Sequence, residues 1–352
     1  QNKSLNIKIE REVEKIFQNI QRKGDKALFS YAKKFDGCKL NTKNISIDKN
    51  KIKIFAKKCP KDIAKALYFS FSRIKKFHLH QIPKNYKYKD SKGVILGSQW
   101  KPINSIGIYV PGGTATYPSS ILMNSIPAKI AGVRKIVMAI PQKNTKLNPI
   151  IAKAAEIADI DIIYRVGGAQ SIAALAWGTK SIEPVDKIVG PGNIYVTSAK
   201  RKIFGNVGID MIAGPSEILV VSDKNNNPDW IAADLLSQAE HDINSRSILI
   251  TDDLAFAKKV TKSIDLILKD LPRSKIASKS WKNNGKIIVI KRISSSYEII
   301  NQLAPEHLEL AIDEPEAILN KVYNAGSVFL GRYTPEAIGD YVAGPNHVLP
   351  TG

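Results

Sequence analysis

The stretch IGIYVPGGTATYPSSILMNSIPAKIAGVRKIVMAIP, residues 106–141, decides the fold. Its apolar residues alternate at first, as in a strand, and the alternation breaks at VPGG. A helical pattern follows, and a second strand pattern runs toward Pro141. Strand, glycine turn, helix and strand in this order predict parallel strands joined by a crossover helix.

The same unit repeats along the rest of the chain. DIIYRVGG and VDKIVG are two further strand patterns, and another series begins at AGPSEILVVSD. We therefore predict an α/β protein with two doubly wound, Rossmann-like parallel-sheet domains, at residues 96–212 and 213–352. Residues 1–95 carry apolar residues mostly at helical spacing, and we expect a helical N-terminal segment that packs on the second α/β domain.

Composition narrows the class of protein. The 352 residues are 43% hydrophobic, which is ample for globular cores, and the formal net charge is +21. The positive charge comes from 43 Lys against 10 Arg scattered over the chain, so it does not predict a nucleic-acid site, where Arg is favoured. We therefore expect no nucleic acid as partner. We also expect no membrane as partner, because the sequence has no run of 18 or more apolar residues. The charged start also predicts no secretory signal, which indicates a cytoplasmic location.

Two cysteines, Cys38 and Cys59, lie in polar surroundings and form no CxxC pair. They predict neither a disulfide framework nor a cysteine zinc site.

Three glycine turns follow predicted strands: Tyr109 to Gly113, Gly167 to Gln170 and Gly190 to Asn193. Ligands of doubly wound sheets gather beyond the carboxyl ends of the strands, and glycines there let backbone N–H groups approach a phosphate. The same glycines could equally serve turns that need a positive φ. No GxGxxG fingerprint follows the first strand, so the pattern alone does not predict NAD.

The stretch APEHLEL, residues 304–310, places a carboxyl group and an imidazole side by side, Glu306 and His307. These two groups are suited to acid and base catalysis. The chain has five histidines in all, so few of its side chains titrate near neutral pH. The alternative is that Pro305 opens an ordinary helical turn in which Glu306 lies near the positive end of the helix.

The helix pattern PDWIAADLLSQAEHD carries Gln238 and His241 three residues apart, hence on one face. An amide oxygen and an imidazole could belong to a mixed metal site, or simply form an exposed polar face. A long irregular stretch near the end holds Asp340 and His347 among glycines and prolines, and such stretches are often functional when ordered.

Six motifs in this order resemble the histidinol dehydrogenases: YVPGG, GPGN, AGPSE, SQAEHD, APEHLEL and GDYVAGPNHVLPTG. That family consists of zinc-containing, NAD-dependent enzymes of the last steps of histidine biosynthesis. The resemblance implies zinc ligands at Gln238, His241 and Asp340, with substrate contacts from the same three residues and from Ser216 and His347. It further implies that Glu306 and His307 carry the chemistry, and that the cofactor touches Tyr109, Gln170 and Asn193.

Members of that family continue past the position where this sequence ends, LPTG, and their C-terminal tail supplies a further zinc-ligating histidine and a glutamate to the partner subunit. The resemblance thus implies a homodimer with shared active sites and a tail domain that is absent from this chain. The implied reaction is oxidation of L-histidinol to L-histidine through the aldehyde, with two NAD+ reduced in succession. A zinc-dependent hydrolase is the alternative function, and it would need no nicotinamide.

Overall fold

The computed structural model describes residues 2–112, 117–142, 147–212, 214–346 and 349–350, with the backbone alone for residues 2–6 and 340. The chain divides into two compact units. One comprises Gln1–Ile212 and Val342–Val348, and the other comprises Ala213–Tyr341 and Leu349–Gly352. No helix of the described residues is long and apolar enough to cross a membrane.

The first unit is built on a six-stranded sheet in the order β1-β6-β5-β4-β7-β8. All neighbouring strands run parallel except β1, which pairs antiparallel with β6. The strands of the first unit are β1 (Ser46–Asp48), β2 (Tyr86–Lys89), β3 (Ile95–Ser98), β4 (Ser105–Tyr109), β5 (Lys135–Ala139), β6 (Ile162–Tyr164), β7 (Lys187–Val189) and β8 (Gly208–Ile209), of which β2 and β3 lie outside the six-stranded sheet. Its helices are α1 (Asn2–Lys23), α2 (Asp25–Tyr31), α3 (Lys49–Ala56), α4 (Lys61–Leu79), α5 (Pro118–Ile130), α6 (Pro149–Ile157), α7 (Gly168–Trp177) and α8 (Ile194–Ile203).

Helices cover both faces of this sheet. On one face α7 and α8 pack with α1, whose buried residues Val13 and Ile20 share a hydrophobic cluster with Ile172 and Ala199. On the other face α5 and α6 pack with α3 and α4. The expectation that residues 1–95 pack on the second α/β domain is therefore wrong. The apolar stripes of α1, α3 and α4 complete the two outer layers of the first sheet, to which β1 also adds an edge strand.

The strands β2 and β3 form a separate antiparallel ribbon. Both strands are mostly exposed, including the rings of Tyr86 and Tyr88 and the side chain of Ile95. This ribbon lies between α4 and β4 in the sequence and leaves an apolar surface open to solvent in the single chain.

The second unit is built on a five-stranded sheet in the order β11-β10-β9-β12-β13, with all neighbours parallel. Its strands are β9 (Glu217–Ser222), β10 (Arg246–Thr251), β11 (Lys286–Val289), β12 (His307–Ala311) and β13 (Ser327–Leu330). Its helices are α9 (Pro228–Ala239), α10 (Leu254–Asp270), α11 (Ser274–Asn284), α12 (Ser296–Leu303), α13 (Glu316–Leu319) and α14 (Glu336–Ile338). Two parallel sheets with helical layers confirm the predicted fold class.

Candidate active site

Most of the predicted acid, base and metal residues of the second unit meet at the amino-terminal edge of its sheet. Glu306 and His307 stand where β12 begins, beside Ser216 and Glu217 where β9 begins, since β12 and β9 pair in parallel from His307 and Ile218 onward. The helix α9 runs back from the carboxyl edge in the usual crossover manner. Its last turn therefore brings Gln238 to the same amino edge.

The segment around His307 is a strand, so the helical turn considered for Pro305 is wrong. The preceding helix α12 ends at Ala304, which takes the left-handed conformation at φ 47°. The chain then enters β12 between β9 and β13, and Ser327 N–H donates to the carbonyl of Glu306 at 2.9 Å. Insertion between two parallel strands, rather than local propensity, fixes the conformation here.

His307 is 4% exposed, and each nitrogen of its imidazole lies near another polar group. Its Nδ1 lies 3.0 Å from the backbone carbonyl oxygen of Glu217, and its Nε2 lies 3.7 Å from Oε1 of Glu336. Burial lowers the pKa of His307, which the negative charge of Glu336 partly opposes. A buried neutral ring is a suitable base.

Glu306 is 8% exposed, and its Oε2 accepts the backbone N–H of Glu217 at 3.0 Å. Burial raises the pKa of Glu306 to about 8, although this hydrogen bond opposes the rise. A carboxyl group with a pKa in that range can exchange protons near neutral pH.

The predicted metal ligands are placed only in part by the structure. Gln238 is buried at 2% exposure in the last turn of α9. His241 is exposed and lies just beyond the helix, where its backbone N–H donates to the carbonyl of Gln238. A purely exposed polar face is therefore wrong for Gln238. His241 is close enough to His307 to lower the pKa of that ring.

Gln238 and His241 suit a metal in donor chemistry, because they offer one amide oxygen and one imidazole at the negative end of a helix. The side chain of Asp340 and the whole of His347 lie outside the described residues. Within the described residues no group of three or more His, Cys, Asp or Glu side chains is arranged to hold a metal ion. Ser216 is half-buried at the amino end of β9.

In the first unit, the three glycine turns do lie at the carboxyl edge of the sheet, after β4, β6 and β7. The phenolic oxygen of Tyr109 accepts the N–H of Gly168 at 3.2 Å, which joins the first turn to the second. Asn193 is exposed and caps α8, because its side-chain oxygen accepts the N–H of Tyr195 at 3.1 Å. The described part of the first turn ends at Gly112.

Close packing explains several of these glycines. A Cβ on Gly112 would come within 2.3 Å of Pro141, and a Cβ on Gly167 within 2.5 Å of the same proline. At Gly190, with φ 110°, a Cβ would lie 2.2 Å from the carbonyl oxygen of Tyr109. The turns are therefore packed against one another at the ends of the strands, so the structural interpretation of these glycines holds whether or not a ligand binds.

Tyr109 and Gln170 are both buried, at 4% and 1% exposure, and burial raises the pKa of Tyr109 to about 12. The carboxyl group of Asp36 also reaches this edge and accepts the N–H of Gly167 at 3.2 Å. This glycine-lined edge thus carries the phenol of Tyr109 and the carboxamides of Gln170 and Asn193. These groups suit the neutral hydrogen-bonding groups of a dinucleotide.

Sequence analysis missed three carboxyl groups next to the catalytic pair: Glu217, Glu309 and Glu336. Glu309 follows His307 by two residues on a strand, so the strand period alone would have placed both on one face. Glu217 directly follows Ser216 in AGPSE. No sequence pattern marks Glu336, which comes from an irregular region far along the chain.

Comparisons with known proteins identify relatives for the whole chain. The family model described as histidinol dehydrogenase matches residues 1–352. A histidinol dehydrogenase from Brucella abortus (strain 2308) is 52% identical over 343 residues, covering 97% of this chain and 80% of the relative. Histidinol dehydrogenase 1 from a Nostoc species is 52% identical over 339 residues, covering 96% and 78%.

Among solved structures, the crystal structure of histidinol dehydrogenase from Elizabethkingia anophelis matches with a TM-score of 0.93 at 40% identity, covering 97% of this chain and 79% of that one. The resemblance seen in the six motifs is thus confirmed at the level of the family. These named relatives are dehydrogenases, so the comparisons give no support to a zinc hydrolase.

Proposed function

This chain belongs to the histidinol dehydrogenase family, an oxidoreductase family of histidine biosynthesis, and we propose that it oxidises L-histidinol to L-histidine through the aldehyde while two NAD+ are reduced in succession. The observation that carries the proposal is the buried pair Glu306 and His307 at the amino end of β12. One of these groups is a neutral imidazole and the other a carboxyl group with a pKa of about 8.

His307 acts in the alcohol step. A carbonyl oxygen only accepts hydrogen bonds, so contact with the carbonyl of Glu217 assigns the hydrogen of the neutral ring to Nδ1. The lone pair is then on Nε2, which takes the hydroxyl proton of the substrate while the hydride leaves from the carbinol carbon.

Glu306 acts in the aldehyde step. Its ionised carboxylate takes a proton from the water that adds to the aldehyde, and the hydrate then gives up the second hydride. The N–H of Glu217 stabilises the charged form, so the same backbone unit orients both catalytic groups: its N–H binds Glu306 and its carbonyl binds His307.

A route through a thioester would need an activated cysteine. Cys38 and Cys59 both belong to the first unit, and burial raises the pKa of Cys59. Neither residue belongs to the unit that contains Glu306 and His307, and water is the nucleophile in this proposal.

We assign zinc binding to Gln238, His241 and Asp340, and substrate contacts to those three residues together with Ser216 and His347. A bound zinc ion would supply a fixed positive centre that orients the imidazole and amine of the substrate. NAD is assigned to Tyr109, Gln170 and Asn193 at the carboxyl edge of the first sheet.

The assembly we propose is a homodimer that shares its active sites. The exposed apolar side chains of the β2–β3 ribbon, with Trp100 59% exposed just after it, support a partner surface there. Free cysteines are in keeping with a cytoplasmic protein.

Purified protein, L-histidinol and NAD+ provide the test, with NADH followed by its absorbance and zinc measured on the same sample. We expect two NADH for each L-histidinol consumed and about one zinc per chain. Zinc binding with no reduction of NAD+ would refute the proposal.

A further inference from the structure

Glu336 faces the catalytic histidine, and no sequence motif accounts for it. Its side chain is 2% exposed, and its Oε1 lies 3.7 Å from Nε2 of His307. Among the described residues this Oε1 makes no hydrogen bond. A buried carboxylate oxygen that lies close to an imidazole nitrogen, and makes no hydrogen bond within the described part of the chain, is costly to bury, so it requires an explanation in function.

We propose that Glu336 is a positioning residue for His307: its Oε1 accepts the Nε2–H that forms when the ring takes up the substrate's proton, and so keeps the protonated ring in place. This inference rests on the proposed function, in which His307 is the base of the alcohol step.

The arrangement of hydrogen-bond partners supports this role. With the hydrogen of the neutral ring on Nδ1, toward the carbonyl of Glu217, Nε2 and Oε1 of Glu336 are both acceptors. Two acceptors do not attract each other, which agrees with a separation longer than a hydrogen bond. Protonation of Nε2 turns this pair into a charge-assisted hydrogen bond, so the attraction appears only after the proton has moved.

Glu336 is held in place independently of His307. Its Oε2 lies 3.2 Å from the hydroxyl of Ser237 on α9, and its backbone N–H bonds to the carboxyl group of Glu309 on β12. These contacts tie α14 to a helix and a strand, so Oε1 stays directed at the ring.

The proton balance is simple. The hydroxyl proton of the alcohol moves to Nε2, the carbon–oxygen double bond forms, and the hydride passes to NAD+. The Nε2–H then points at Oε1 of Glu336, and the ring gives this proton to solvent water before the next turnover, which restores its neutral form.

Four titratable groups of the described residues lie near the ring: Glu336 on α14, Glu217 on β9, the neighbouring Glu306, and His241 after α9. The carboxyl oxygens of Glu306 and Glu336 are each 3.7 Å from the ring, but Glu306 is on the Nδ1 side. Among the described side chains, Glu336 thus supplies the carboxyl oxygen on the Nε2 side.

Glu309 offers a matched control. It is as buried as Glu336, at 1% exposure, but its carboxyl group pairs with Asp234 on α9. Glu309→Gln removes a buried acid from the same cluster, while the carboxamide can still donate to Asp234 and accept the backbone N–H of Glu336.

The experiment compares Glu336→Gln, Glu336→Asp and Glu309→Gln. For Glu336→Gln we expect the rate of the alcohol step to fall about 10- to 100-fold with KM for L-histidinol within about threefold, since the lost interaction is made after proton transfer. Glu336→Asp, which keeps the charge, should recover part of the rate. Glu309→Gln should stay within about threefold of wild type. Equal losses in Glu336→Gln and Glu309→Gln, or a wild-type rate in Glu336→Gln, would overturn the inference.

A second readout does not depend on turnover. The chain has five histidines, so labelling histidine rings with ¹⁵N gives a small spectrum in which His307→Asn identifies the signals of His307. We expect Glu336→Gln to shift the Nε2 signal and Glu309→Gln to leave it in place. An unchanged Nε2 signal in Glu336→Gln would contradict the pairing. If the pairing is seen but wild-type protein leaves NAD+ unreduced with L-histidinol, then the proposed function fails and the structural pairing stands.

Discussion

The two sheets of this protein are built alike but expose their chemistry at opposite edges. In the first unit the glycine turns that follow β4, β6 and β7 lie at the carboxyl edge. In the second unit Glu306 and His307 lie at the amino edge, where β12 begins. At the carboxyl edge of the second sheet, the guanidinium of Arg332 instead binds Asp223 through two bonds of 2.7 Å and also bonds Asp313.

The difference shows what the usual rule for doubly wound sheets depends on. Ligands bind at carboxyl edges because loops and helix N-termini there leave backbone N–H groups available. At the amino edge of the second sheet, helix C-termini arrive instead, and their negative ends favour cationic groups such as an imidazolium or a metal.

The largest effect is expected when the imidazole at the amino edge of the second sheet is removed. We expect His307→Asn to lower the rate of the alcohol step by about 10²- to 10⁴-fold, because a positioned base is lost. Stopped-flow NADH formation from L-histidinol measures that step, and zinc content should not change. A wild-type rate would remove His307 from the mechanism.

At the carboxyl edge of the first sheet, the sharpest probe is Gly190→Ala. Its Cβ would lie 2.2 Å from the carbonyl oxygen of Tyr109, and its φ of 110° is unfavourable for alanine, so we expect a loss of about 3 kcal/mol or more in unfolding free energy. Gly205→Ala is the control, since its φ is 101° but nothing lies within 4 Å. It should cost about 1–2 kcal/mol. Equal losses in denaturant titrations would show that close packing does not set this edge.

The pH dependence of aldehyde oxidation sharpens the role given to Glu306. Burial raises its pKa from 4.5 to about 8, so the group is largely protonated at neutral pH and must ionise to act as a base. The rate with supplied aldehyde should rise up to about tenfold per pH unit below that pKa and level off above it. Glu306→Gln should lose the rise. A rise that survives in the variant would assign the base to another group.

The smallest effect is expected at the carboxyl edge of the second sheet. Arg332→Met breaks the bonds to Asp223 and Asp313, and we expect about 1 kcal/mol of lost stability, mainly through Asp223 because Asp313 is exposed. The rate of NADH formation should be unchanged. A large loss of activity with little loss of stability would mean that this edge also takes part in function.

Much of the fold follows from the sequence because its signals are local. Alternating apolar residues at 106–110 and a glycine break predict a strand and its turn, and the same pattern predicted the second sheet from residue 213. The helices before residue 80 were predicted too, but not the sheet on which they pack. Amphipathic stripes show that α1 has a partner and do not show which one.

The candidate site is predictable where neighbours in sequence are neighbours in space. Glu306 and His307 are adjacent, and one family motif holds both. The carbonyl of Glu217 and the carboxyl of Glu336 approach His307 across 90 and 29 residues of chain, through parallel pairing of β12 with β9 and the placement of α14. Parallel pairing is non-local, so no spacing rule within the sequence reveals it.

One measurement tests most directly the claim that Glu306 and His307 divide the two steps at the amino edge of the second sheet. Glu306→Gln protein is mixed with L-histidinol and excess NAD+, and the NADH formed in the fast phase is counted for each active site. The account predicts one rapid equivalent of NADH followed by a slow second one, whereas wild type yields two. Two rapid equivalents in the variant, or none, would contradict it.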